Sequence, residues 1–281
     1  LNNYDILQLY MVVGGVPHYL NMFNRGESIM QNIDRLCFEK NGMLALEFNE
    51  VFQSLFVNSE IHELIIRTLA KSKKGVLRNQ LLKDCKMESS GIFSKALIEL
   101  SESGFINQYS PFGKKTKGAL YRLSDEYSLF FLKFIESNLG QGTGTWAKVF
   151  PKQSYKIWSG FVFESVCLKH VEQIKKELGV AKIYSLHSSW NNTNTQIDLV
   201  IDRDDGIINL CELKFYEGPY TINKAEYENL KNKVFQFKQD TKTRKNVFIT
   251  MITTSGLHEN ANSLELISNN LSMNCLFESN D

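Results

Sequence analysis

QIDLVIDRDDGIINLCELKF, residues 196–215, is the stretch on which the reading of this chain rests. Two apolar runs, each interrupted by polar positions, flank Arg203-Asp204-Asp205-Gly206, a hairpin turn signal. A three-residue loop over 204–206, with Gly206 left-handed, makes Arg203 oppose Ile207, Asp198 oppose Glu212 and Gln196 oppose Lys214. Residues two apart share a strand face, so these polar side chains gather on one side, with facing Cβ atoms roughly 5 Å apart. A two-residue Asp205-Gly206 turn shifts the register by one and separates them. Two converging carboxylates repel unless a cation joins them, and hard oxygen donors suit Mg²⁺ or Mn²⁺. With Asp198 and Glu212 as ligands and Lys214 orienting the bound water or steadying the developing negative charge, the hairpin reads as a site for metal-assisted phosphodiester hydrolysis. The competing reading is an ordinary hairpin decorated by an Asp and a Lys.

Upstream, a helix predicted over 155–178 and ended by Gly179 carries Glu164 among Gly160, Phe161, Cys167 and Leu168, on its apolar face. A carboxylate there is paired, bound to a metal as a supporting ligand, or at a helix edge reaching water. Strands are predicted at 181–187, 196–202, 207–215 and 246–254, with a helix near 224–240, which describes a mixed central sheet. Six basic residues over 231–245 (Lys231, Lys233, Lys238, Lys242, Arg244, Lys245) suit either a phosphate backbone or a solvated helix end.

Before residue 100 the pattern is helical, with helices over 4–13, 17–24, 27–39 and 43–56, then a helix from Glu60 and short ones at 76–85 and after Ser89-Ser90. Next come a strand from Phe105, a Pro/Gly/Lys turn at 111–118 and a returning strand from Ala119. Three helices followed by a two-stranded wing make a winged helix-turn-helix. Its third helix offers Ser90, Ser94 and Lys95 to DNA, and its wing offers Lys114, Lys115, Lys117 and Arg122. Lys71, Lys73, Lys74 and Arg78 add a second basic cluster. Such lysines neutralise phosphates rather than read bases, and a wing used for protein contacts is the alternative. Residues 126–138 read as a further helix, and the Gly140–Thr145 stretch, with three glycines, as an interdomain boundary.

Composition bounds the function. At 281 residues, 43% hydrophobic and 22% charged, the chain is long enough for two cores and is not a disordered polymer. A net charge of +1 leaves nucleic-acid contact to local patches. Five scattered cysteines without CxxC spacing (Cys37, Cys85, Cys167, Cys211, Cys275) point to a reducing cytoplasm and away from zinc. No apolar run is long enough to span a membrane, no phosphate-loop motif occurs, and no nucleophile elbow appears. The five histidines share no metal-ligand spacing.

The order of Glu164 on a helix, Asp198 on a strand and Glu212-x-Lys214 on the next resembles the PD-(D/E)XK nuclease superfamily. The whole chain resembles the C-terminal part of bacterial and archaeal AAA+-type ATP-binding proteins. The strings that carry this are LYMVVGGVPHYL (9–20), YRLSDEYSLFFLKFI (121–135), WSGFVFE (158–164), QIDLVI (196–201) and CELK (211–214). The resemblance implies an α+β multidomain chain: a helical ATPase-lid-like region over 1–57, the winged helix-turn-helix over 58–125, a helix and Gly-rich linker over 126–150, and a PD-(D/E)XK-like domain over 151–281. It implies a fragment of a longer protein whose P-loop module, the only part to use ATP, is absent here; the opening at Leu1 without a methionine agrees. His18 falls in the lid string, as a packing residue or a contact to that module. The Pro-Asp of the nuclease motif is replaced by Ile197-Asp198. The expectation is therefore a Mg- or Mn-dependent nuclease-like protein of the cytoplasm, binding nucleic acid, DNA first, able to oligomerise and free of the membrane. The alternative is an inactive nuclease-fold scaffold serving DNA or protein binding and regulation of the missing ATPase.

Overall fold

The computed structural model describes residues 1–72, 75–113, 118–193 and 195–277. The chain is α+β and divides into two compact units: Leu1–Gln108 with Ala119–Val162, and Tyr109–Gly118 with Phe163–Asp281.

The first unit is helical. It holds α1 (Asn3–Val13), α2 (Pro17–Leu20), α3 (Ile29–Ile33), α4 (Met43–Leu55) and α5 (Ser59–Leu69). After these come β1 (Val76–Leu77), α6 (Arg78–Asp84), α7 (Gly91–Glu102), β2 (Ile106–Tyr109), β3 (Leu120–Leu123), α8 (Glu126–Phe130) and α9 (Thr145–Val149). Helix starts follow their caps. Asn2 and Ser28 form capping boxes with Asp5 and Gln31, and Ser90 accepts from the Phe93 N–H at 3.2 Å. The helix expected over 76–85 begins two residues late. Val76 and Leu77 extend to pair antiparallel with Tyr121 and Leu120, giving a small sheet of order β1-β3-β2. The helices expected over 27–39 and 126–138 change pitch midway, into π-helical turns at Asp34–Phe38 and Phe131–Ile135. The core is aromatic: Phe48 stacks on Phe131 with centroids 4.4 Å apart, and Trp146 meets Phe130 and Phe134 edge-on.

The glycine-rich stretch lies inside this unit, and the division between units falls at Val162/Phe163. The cause is Asp34, a buried carboxylate that accepts from the Gly144 N–H at 2.9 Å and the Trp146 N–H at 2.7 Å, at the start of α9. Gly142 N–H also donates to the Phe38 carbonyl at 3.1 Å. Gly14, at φ +67°, ends α1 in a conformation open to glycine, and a Cβ there would stand 3.1 Å from Glu126 Oε2.

α10 (Gln153–Lys169) leads into the second unit, followed by α11 (Val171–Glu177), so the single helix expected over 155–178 breaks at His170. Then come β4 (Ser185–Asn191), β5 (Gln196–Arg203), β6 (Ile207–Lys214), β7 (Tyr220–Thr221) and α12 (Lys224–Thr241). β8 (Asn246–Thr253), β9 (Leu257–His258), α13 (Ala261–Leu266) and β10 (Ile267–Ser272) complete the unit. Five strands form a mixed sheet of order β10-β8-β6-β5-β4. β4-β5 and β5-β6 are antiparallel hairpins, whereas β6-β8 and β8-β10 run parallel. The parallel β6-β8 pair requires a crossover, which α12 supplies. α12 lays Phe237 against Trp190, Ile197, Val200, Ile208 and Leu210. Burial is nearly continuous along β6, from Ile208 to Leu213, because both faces of a central strand are covered. No described helix is long and apolar enough to cross a membrane.

Candidate functional site

The β5-β6 hairpin has the register of the three-residue loop. Leu199 pairs with Cys211, Val200 with Leu210, Ile201 with Asn209 and Asp202 with Ile208, and Gly206 sits at φ +81°. Continued by one residue, that register sets Asp198 level with Glu212. Lys245 fixes the turn, donating from Nζ to Asp202 Oδ1 and to the Arg203 carbonyl, each at 2.6 Å.

Glu212 is the centre of an ion network. Its side chain is 7% exposed; Lys214 Nζ lies 2.8 Å from Oε1 and Lys233 Nζ 2.6 Å from Oε2. Lys214 also reaches Glu226 Oε1 at 3.4 Å. Burial pushes the Glu212 carboxyl up, but Lys233 and Lys214 together outweigh it and hold it below its ordinary range. Burial lowers the Lys214 ammonium, yet Glu212 and then Glu226 more than reverse this, so it stays charged. Two carboxylates and two ammonium groups therefore balance inside the second unit. Removing a lysine from this set is costly chiefly because Glu212, at 7% exposure, has little water to turn to.

Asp198 accepts from Gln196 Nε2 at 2.9 Å. Glu164 lies on α10, one turn before Cys167. Burial raises the Cys167 thiol, and Cys275, Glu164, Cys211 and Asp198 push it the same way, so Glu164 and Asp198 both stand within electrostatic reach of that thiol. Asp198 and Glu212 are hard oxygen donors on adjacent strands and fit a divalent cation in kind. Both Glu212 oxygens already carry ammonium groups, so an ion there would displace one of them. Among the described residues, no group of three or more His, Cys, Asp or Glu side chains is arranged to hold a metal.

Lys233 and Glu226 are the residues missed by the sequence reading, which placed Lys233 in a basic segment facing phosphate or water. Their spacing carried a signal: Glu226, Leu230, Lys233 and Phe237 fall at i, i+4, i+7 and i+11, one stripe of α12 on which Leu230 and Phe237 are buried. A lysine on that stripe needs a buried partner.

The residues offered for DNA contact differ in their surroundings. Lys95 projects from α7, 76% exposed, beside Glu99 at 3.5 Å. Lys73, Lys74, Lys114, Lys115 and Lys117 lie outside the described residues. Arg122 does not face solvent: it is 5% exposed, its guanidinium covers the Phe161 ring at 4.1 Å, and Nη2 donates to the Phe161 carbonyl at 3.1 Å. An arginine at a half-buried strand end gains more from an aromatic face and a carbonyl than from water. Ser94 receives a bond from Arg78 Nη2 at 2.8 Å and Ser90 caps α7, so both serve local structure. Just after β2, Phe112 N–H donates to the Ser189 carbonyl at 2.7 Å, and the Phe112 ring packs edge-on against Phe237. Pro111 and Phe112 are thus held on β4.

Set against known proteins, the chain matches no family model, no curated protein and no solved structure.

Proposed function

We propose that the second unit is a PD-(D/E)XK-like domain with a Mg- or Mn-dependent phosphodiesterase site, and that the chain is the C-terminal part of an AAA+-type ATPase. The observation that supports the reading is the hairpin register from Asp202–Ile208 to Leu199–Cys211, whose continuation by one residue would put Asp198 level with Glu212, while Lys214, on the same strand face as Glu212, bonds to it at 2.8 Å. The order α10, β4, β5, β6, α12, β8 also supports it. Asp198 and Glu212 would hold the ion, with Glu164 in support. The ion would supply charge neutralisation at the phosphate and a more acidic water. Lys214, kept protonated by Glu212 and Glu226, would hold a phosphate oxygen and steady the negative charge that develops there. The helices α5 to α7 with the sheet β1-β3-β2 form a winged helix-turn-helix, whose exposed Lys95 face would meet a nucleic-acid backbone. Five free, buried cysteines favour a reducing cytoplasm.

One observation favours a second reading, a nuclease-fold scaffold without catalysis: the Glu212 carboxylate is already neutralised by the two lysines of its own unit. Calorimetric titration of Mn²⁺ into the wild type and into an Asp198→Asn, Glu212→Gln variant separates the two. The isosteric changes spare packing, and circular dichroism checks the fold. Saturable binding that the variant loses, followed by metal-dependent nicking across DNA and RNA substrates, is the expected result. A folded wild type that takes up no Mn²⁺ would sink the phosphodiesterase reading and leave the scaffold.

A further inference from the structure

A second site lies wholly within the first unit. Its cavity, of about 640 Å³, falls among the volumes typical of small-molecule sites. Leu129 and Trp158 form its buried floor, with Leu132, Phe161 and Ile157 as apolar walls. Arg67, Lys71 and Lys133 also line it, against the single carboxylate of Glu136. Arg67 is occupied, 2.6 Å from both Glu63 and Glu136. Lys71 and Lys133 form no ion pair among the described residues and are exposed, so the surplus positive charge belongs to them.

One further feature points to an occupant. Leu132 and Lys133 are presented by the π-helical turn Phe131–Ile135, a distortion of the helical ladder found disproportionately at functional sites. We propose that this cavity binds a small amphipathic anion, a chain or ring body on Leu129, Trp158 and Phe161 with its carboxylate between Lys71 and Lys133. The site uses no residue of the Glu212 network and stands independently of the phosphodiesterase reading.

The test uses decanoate and 2-naphthoate as probes, decanol as the uncharged control, and calorimetry on the full chain. Expected is saturable one-site binding of at least one acid, with decanol weaker by about fivefold, the order of two exposed charge contacts. A Lys71→Ala, Lys133→Ala variant, changed only at exposed positions, should weaken the acid by about the same factor and leave decanol unmoved. Ile157→Trp, at a half-exposed wall position, should fill the cavity and abolish both. Absence of saturable binding by either acid, equal affinity for decanol and decanoate, or binding untouched by Ile157→Trp would each overturn the proposal.

Discussion

Replacing Lys233 by Met removes one ammonium from Glu212 while keeping much of the side chain's length. At 2.6 Å and an effective dielectric constant of about 20, the Lys233–Glu212 attraction is roughly 6 kcal/mol, set against several kcal/mol for desolvating each ion. The two side chains are 15% and 7% exposed, so solvent screening does little to reduce the coupling. Breaking a buried pair costs about 3–5 kcal/mol, and because Lys214 still holds Glu212 we take the lower end, about 3 kcal/mol. For a unit of this size that is a fall in Tm of about 6–12 °C. The acid limb gives the more specific signature. Glu212 titrates below its ordinary range when folded, so its stabilisation is complete above the unfolded-state pKa and is lost as pH falls through the depressed folded value. Without Lys233, burial gains on the remaining lysine, the folded pKa rises, and stability is lost at higher pH. Thermal melts from pH 3.5 to 8 on wild type, Lys233→Met and the exposed control Lys238→Met measure both effects. A Lys233→Met protein that melts with the control and keeps the wild-type acid limb would refute the network.

Two other perturbations follow from the first unit. Asp34→Ala removes the acceptor of one buried and one part-buried N–H group and should cost about 2–3 kcal/mol in urea unfolding, with Asp34→Asn recovering part of it. Arg122→Met should destabilise by about 1–2 kcal/mol, through loss of its place over Phe161, while leaving affinity for a DNA duplex unchanged in a fluorescence-anisotropy titration.

The parts legible in the sequence were those governed by local rules. Gly206 and the two flanking runs set the hairpin register, because only the three-residue loop brings the polar residues of both strands to one face. The helix after Ser89-Ser90 began where its cap said, whereas the one expected from residue 27 starts at Ile29, behind the Ser28 cap. What was not legible depended on partners far along the chain. Val76 and Leu77 read as helix until Tyr121 and Leu120 gave them a strand to join. The strand Ile267–Ser272 has little apolar alternation and is specified by lying parallel to β8. Arg122 looked like a phosphate contact because nothing in its neighbourhood announced Phe161. At the candidate site, Asp198, Glu212 and Lys214 were found by strand alternation. Lys233 was set aside as one of a basic run, although its place on the Leu230–Phe237 stripe marked it as inward.

The Asp34 bridge also bears on when parts of the chain can pack as it is made. Its acceptor and its two donors lie 110 and 112 residues apart. Until Trp146 has left the ribosome, the Asp34 carboxylate lacks both of its backbone donors. Contacts across so long a loop raise the closure entropy and the contact order of the first unit above those of a string of helices each packed on the last. Any expression boundary drawn at the Gly140–Thr145 stretch would strand that carboxylate and expose the aromatic core that α9 covers.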